Sequence, residues 1–128
     1  NGAIASVMNA GDHGTTFGGG PFVASVALHV VERVADPTLL EHVRSAGTWF
    51  GEELRAIGTR TARMRALRGT GFMWGMDVNE PAGDVVARAR EAGLLILTAG
   101  DHTLRFLPPL VTSRVDLARG LTILEQVL

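Results

Sequence analysis

From Phe72 onward the hydrophobic pattern changes period. Upstream, apolar residues recur every three or four positions, first at Val23, Ala27, Val30, Val31 and Val34, then at Leu39, Val43, Ala46, Phe50, Leu54 and Ile57. Each stripe predicts an amphipathic helix. At Phe72, Trp74, Met76 and Val78 the apolar residues instead alternate with Met73, Gly75 and Asp77. That alternation predicts a strand with one buried face. A chain carrying both periods in separate blocks is constrained to layers of helix and sheet. The two upstream helices are divided at Asp36-Pro37. Proline disfavours helix at the residue before it, and Asp36 is suited to cap the next helix. Pro21 fits the first turn of the first helix, and Gly58 is expected to end the second.

Residues 59–70 hold Arg60, Arg63, Arg65 and Arg68. A nucleic-acid patch would carry interleaved aromatics in a basic domain, so this segment is read as a solvated connection with a short strand. After a turn at Pro81-Ala82-Gly83, Asp84 can cap a helix carrying Val85, Val86 and Ala89 and ending at Gly93. Leu94 to Leu97 reads as a short apolar strand, Gly100-Asp101 as a turn, and Leu104 to Leu107 as a return strand stopped by Pro108-Pro109. Ser113 and Asp116 form an Asp variant of a capping box. Leu117, Leu121, Leu124 and Val127 then give a final helix. The expected class is α+β, a small antiparallel sheet of three to four strands with helices on one face.

Size and composition bound the rest. With 128 residues, 46% of them hydrophobic, the chain is one domain by size and buries roughly two-thirds of its unfolded surface. Its net charge of −1 provides no global field for nucleic acid or membrane. No apolar run approaches the roughly 18 residues of a transmembrane helix, and no signal peptide is visible. Cysteine is absent, which excludes disulfides and thiolate metal sites. His13, His29, His42 and His102 show no metal-ligand spacing; His29 and His42 fall on predicted helices and read as surface or packing residues. All twelve basic residues are arginine, and there is no lysine.

Two stretches carry chemistry. Gly11-Asp12-His13-Gly14-Thr15-Thr16-Phe17-Gly18-Gly19-Gly20-Pro21 is rich in glycine and leads into a helix. Glycines let backbone amides approach a ligand, and a helix N-terminus favours an anion. With the hydroxyls of Thr15 and Thr16 inside it, such a loop suits a phosphate, to which His13 could also donate. The alternative is a flexible loop that only caps the helix. The second stretch is Leu104-Arg105-Phe106-Leu107-Pro108-Pro109-Leu110, where Arg105 is a charge in an apolar run. A guanidinium there pairs with a carboxylate through its planar fork. That carboxylate is a ligand's or an internal Asp or Glu; otherwise Arg105 faces water from an edge strand.

The run Gly14-Thr15-Thr16-Phe17-Gly18-Gly19-Gly20-Pro21 resembles the G-[ST]-T-[FY]-G-G-N-P signature of class III pyridoxal-phosphate aminotransferases, most of all their acetylornithine and ornithine branch. Gly20 stands where the family usually has Asn. Leu104 to Leu110 resembles the family's L-R-[FL]-x-P-P-L motif, and Arg68-Gly69-Thr70-Gly71-Phe72 its R-G-x-G-[LF] motif, whose glycines are taken as structural. The resemblance runs from about residue 11 to the end.

The resemblance implies a small C-terminal domain of fold-type I aminotransferases, with residues 1–20 a remnant of the larger cofactor domain and 21–128 the bridging helix and small domain. It assigns Thr16, with Thr15 beside it, to the phosphate of pyridoxal 5'-phosphate in the neighbouring subunit's active site of a homodimer. It assigns Arg105 to the substrate's α-carboxylate. Family members hold the cofactor on a lysine a short way upstream of the loop. A chain without lysine that opens at Asn1 is therefore expected to be the C-terminal part of a longer cytoplasmic enzyme, inactive by itself. The expected reaction moves an amino group from N-acetylornithine to 2-oxoglutarate, in arginine biosynthesis. The alternatives are ornithine, succinylornithine or 4-aminobutyrate as donor, or a non-catalytic binding or assembly domain.

Overall fold

The computed structural model describes residues 2–7, 9, 11–12 and 14–128. The chain divides into two compact units, Asn1–Asp36 and Pro37–Leu128. The first holds a single helical turn, α1 (Gly2–Ala5), the glycine-rich loop, and α2 (Pro21–Val34). Pro21 occupies the first helical turn as expected, after an extended Gly20 at the N-cap. The break at Asp36 also falls where the sequence puts it, since α2 is capped at Ala35. No residue of α2 is buried, and Phe22, Val26, Leu28, Val30 and Val31 are all at least half exposed. Met8 and His13 lie outside the described residues.

The second unit contains α3 (Pro37–Thr61), β1 (Met64–Thr70), β2 (Met73–Val78), α4 (Ala82–Glu91), β3 (Leu97–Thr98), β4 (Thr103–Phe106) and α5 (Arg114–Val127). Its four strands form one antiparallel sheet in the order β1-β2-β4-β3. The inner face buries Met76, Val78, Leu104 and Phe106 against Phe50, Leu54 and Ile57 of α3, Val85 and Ala89 of α4, and Leu117, Leu121 and Leu124 of α5. Of the predicted stripes, Ala46, Phe50, Leu54 and Ile57 of α3 and Leu117, Leu121 and Leu124 of α5 are core; Val43 and Val127 pack against it partly buried, and Leu39 is not part of it. The outer face presents Met73, Gly75, Asp77, Leu97, Thr103 and Arg105, the residues that alternate with the buried ones. The class is the α+β layer that the period change predicts.

Three local expectations need correction. Gly58 does not end α3, which continues to Thr61. The left-handed residue that closes the helix is Ala62, at φ 54°. Its carbonyl accepts from the Asn79 side-chain amide at 3.1 Å, which holds the turn in a conformation that ordinarily disfavours a side chain. Gly58 is instead a packing residue. A Cβ there would lie 2.6 Å from the Met64 Cβ. Asp84 does not cap α4: the helix starts earlier, at Ala82, and Pro81 is its N-cap. The Asp84 carboxylate falls in the first turn, where it still complements the helix dipole. Finally, the strand at Leu94 to Leu97 shrinks to Leu97–Thr98. Gly93 ends α4 as expected, at φ 88°, and the Leu94 amide folds back onto the Ala89 carbonyl at 2.8 Å. That bond leaves the next residues to reach the sheet edge outside the ladder.

Ion pairs brace the layers. Arg60 grips Glu125 with two hydrogen bonds, 2.7 and 3.0 Å, joining α3 to α5. Arg88 donates to the Val127 carbonyl and to Glu80, which closes the C-terminal end of α5. Ser113 caps the start of that helix: its hydroxyl accepts from the Asp116 amide at 3.1 Å and donates to the Asp116 carboxylate at 2.7 Å.

Candidate functional site

The glycine loop belongs to the first unit. A Cβ on Gly18 would run into the Thr15 side chain, and Gly19 sits at φ 80°, which only glycine adopts freely. The glycines therefore let the loop turn tightly over Thr15. The side chains of Thr15 and Thr16 are exposed, and no described residue occupies their hydroxyls. At the start of α2, Gly20 contributes no side-chain cap and the first turn has no acidic residue. Among the described residues, nothing accepts from the amides of Phe22 and Val23, the donors that a helix N-terminus leaves open. The nearby Asp12 carboxylate is occupied by the Asn9 amide at 2.6 Å. A donor set of hydroxyls and amides without a free carboxylate fits a phosphate group.

Arg105 belongs to the second unit, in the middle of β4. It lies opposite Gly75 of β2 on one side and Leu97 of β3 on the other. Leu104 and Phe106 are buried, so Arg105 projects from the outer face, where it is exposed. Among the described residues it has no carboxylate partner, which removes the internal salt bridge from the readings of this arginine. Nor is β4 an edge strand. Its guanidinium is held at a defined register position and left open to a ligand.

A polar network sits beside it. Asp77 accepts from Arg68 at 2.7 Å and from the Thr103 hydroxyl at 2.6 Å. These bonds, from Arg68 first and then Thr103, hold the Asp77 carboxyl below the usual carboxylate range. Arg68 lies opposite Gly75 from the β1 side, so Arg68, Gly75 and Arg105 form one cross-strand row. The sequence places Arg68 in a solvated connection with a short strand and Asp77 among the polar positions of the alternating strand, and does not pair them. Their partnership depends on cross-strand register, for which the primary sequence carries no direct signal.

A cleft of about 680 Å³ opens between α4, α5 and the β3–β4 edge. Core residues Phe50, Phe106 and Leu121 line it together with the exposed Leu97 and with Arg90, Arg105 and Asp116, so it is a mainly apolar cleft that reaches the Arg105 side chain at the sheet edge. His42 bonds the Thr112 carbonyl at 3.0 Å and meets the Phe72 ring edge-on, a packing role. His102 bonds the Glu80 carbonyl at 2.9 Å. No group of three potential metal ligands exists among the described residues, and none of the described helices is long and apolar enough to cross a membrane.

The family model for class III aminotransferases matches residues 1–128. The chain belongs to this family. It is 36% identical over 127 residues to the mitochondrial acetylornithine aminotransferase of Eremothecium gossypii, covering 99% of this chain and 30% of that protein. It is also 36% identical, over 124 residues, to acetylornithine aminotransferase of Caldanaerobacter subterraneus, covering 96% of this chain and 32% of the relative. The crystal structure of acetylornithine aminotransferase from Elizabethkingia anophelis superposes with a TM-score of 0.81 at 29% identity, over 99% of this chain and 34% of that one. Ornithine aminotransferase from Plasmodium yoelii gives the same TM-score at 26% identity, covering 99% of this chain and 34% of that one. The chain spans about a third of the length of the relatives it matches. Their sequences and structures make it an α+β portion of a class III aminotransferase, a family that depends on pyridoxal phosphate.

Proposed function

We propose that these 128 residues are the C-terminal portion of an acetylornithine aminotransferase, transferring an amino group between N-acetylornithine and 2-oxoglutarate in arginine biosynthesis. The observation that carries this reading is the match along nearly the whole chain to relatives of that name in fungi and bacteria. Residues 1–20 are then part of the larger cofactor domain, and 21–128 the bridging helix and small domain.

Pyridoxal 5'-phosphate, when bound, supplies the electron sink for breaking bonds at the carbon that bears the amino group. This chain would contribute its phosphate anchor and its carboxylate anchor. Thr16 donates its hydroxyl to a phosphate oxygen, with Thr15 beside it, and the open amides at the start of α2 favour the same charge. In the proposed homodimer this loop serves the neighbouring subunit's cofactor. Arg105 holds a substrate carboxylate through paired N–H donors and so fixes the reacting carbon relative to the cofactor. The lysine that carries the cofactor and moves the proton comes from outside these residues. The proposed site of action is the cytoplasm; mitochondrial names among the fungal relatives make the mitochondrion the alternative.

Similar solved structures include ornithine aminotransferases, which favours ornithine as the second donor to try. The test is an assay of the full-length protein with pyridoxal 5'-phosphate, 2-oxoglutarate and, in turn, N-acetylornithine, ornithine, succinylornithine and 4-aminobutyrate. The reading predicts the highest kcat/KM for N-acetylornithine. Preference for another donor would move the protein within the family. Absence of transfer with every donor would favour a binding or assembly role.

A further inference from the structure

We propose that Asp77 is a specificity-determining residue: by occupying Arg68, it leaves Arg105 as the one guanidinium of its row without a partner among the described residues and so makes the outer face a one-carboxylate site. This inference rests on the reading that Arg105 receives the substrate carboxylate.

Arg68, Gly75 and Arg105 are paired across β1, β2 and β4, so the two arginines emerge on the same face. Neighbouring strands lie about 4.8 Å apart, which puts the two Cα atoms roughly 10 Å from each other. Two long side chains can close that distance from opposite sides. The residue between them is glycine, so no side chain separates them. The Arg68 side chain already runs over this position: a Cβ on Gly75 would be 3.8 Å from the Arg68 Nε and 3.9 Å from its Cγ. From there its Nη1 reaches Asp77, two residues along β2. Asp77 is fixed in turn by Thr103, which neighbours Arg105 two residues away on β4. The other guanidinium that acts on Asp77 is Arg65, and it is held by the Asn79 side chain at 2.8 Å. Two arginines of one row therefore have opposite fates, one neutralised within the sheet and one free.

Releasing Arg68 would convert the row into a clamp for two carboxylates. A dicarboxylate could then bridge Arg68 and Arg105 over Gly75, whereas a monocarboxylate would gain only from the change in net charge. The readout is the ratio of inhibition constants for glutarate and butyrate, measured as competitors of the oxo acid on the full-length enzyme. Asp77→Asn is close to isosteric and keeps an acceptor for Thr103. It should tighten glutarate binding roughly tenfold relative to butyrate, the effect of one added charge-assisted hydrogen bond. Adding Arg68→Gln to Asp77→Asn should return the ratio to the wild-type value. Arg68→Gln alone should leave the ratio unchanged, because Arg68 is already engaged. The proposal is overturned if Asp77→Asn leaves the ratio unchanged, or if Arg68→Gln alone weakens glutarate selectively. Arg105→Gln separates this from the underlying reading: unchanged inhibition by both acids would show that Arg105 is not the carboxylate site at all.

Discussion

The indole ring of Trp74 fills the space that a side chain at Gly51 would need. A Cβ on Gly51 would come within 2.9 Å of the ring's Cε2 and closer still to two other ring atoms. The indole N–H donates to the Gly71 carbonyl at 2.8 Å, and the same Gly71 backbone lies against Gly47, one turn earlier on α3. Glycines at 47, 51 and 58 thus open a track along α3 into which the β1–β2 hairpin settles. Gly51→Ala should therefore destabilise the protein by about 1–3 kcal/mol, the usual effect of forcing extra volume into a packed site. Chemical denaturation measures this. An unchanged or raised midpoint would mean that the hairpin can move off the helix freely, since alanine otherwise favours a helix interior.

Phe50 is the largest side chain that α3 places in the core, 5% exposed and edge-on to Phe106 of β4. Phe50→Ala should cost about 3–5 kcal/mol. That is a large share of an ordinary domain's stability. A near-wild-type denaturation midpoint would show that α3 is not seated on the sheet as described.

Asp77 gives the fold a signature in acid. Its folded-state carboxyl is held low by Arg68 and then Thr103. A carboxyl with a lowered folded pKa contributes stability that is present above its unfolded value of about 3.9 and is lost as pH falls toward the folded value. Wild type should therefore be more stable than Asp77→Asn at pH 7, and the gap should close on acidification below the ordinary carboxylate range. Thermal midpoints across that range measure it. A gap that stays constant with pH would show that the difference does not come from ionisation of Asp77.

Much of this arrangement is legible in the sequence. Helical and strand periods survive in Ala46, Phe50, Leu54 and Ile57, and in Met76 and Val78, because one-sided burial imposes them. Gly93 and Ser113 are legible for another reason: their roles at helix ends are local. Gly58 misleads because a glycine near a helix end fits both a stop and a close contact, and only the position of Met64 decides between them. The Arg68–Asp77–Thr103 network is not legible at all. Its members come from three strands, and their meeting follows from a register set by turns and bulges, including the irregularity between Met64 and Ala66. Thr15, Thr16 and Arg105 stood out as a glycine loop and a charge in an apolar run, signals that need no tertiary knowledge.

Thr16→Ala tests the proposed phosphate anchor. Loss of a hydrogen bond to a charged group costs about 1.5–3 kcal/mol, so cofactor affinity in the full-length enzyme should fall roughly tenfold to a hundredfold. Cofactor absorbance on dilution or dialysis follows the dissociation. An unchanged dissociation constant would leave Thr16 as a residue of the loop's own structure.

Arg105 carries the central claim, and Arg105→Lys probes it most directly. Lysine keeps the charge but cannot reproduce the bidentate fork. Steady-state kinetics and thermal unfolding should be measured together on the full-length variant. The account predicts a fall in kcat/KM for both the amino donor and the oxo acid of about tenfold or more, from the loss of at least one charge-assisted hydrogen bond of about 1.5–3 kcal/mol. Cofactor binding and the unfolding midpoint should stay near wild type, because Arg105 is exposed and has no partner among the described residues. Full activity with a lowered unfolding midpoint would contradict the account and make Arg105 a structural residue of β4.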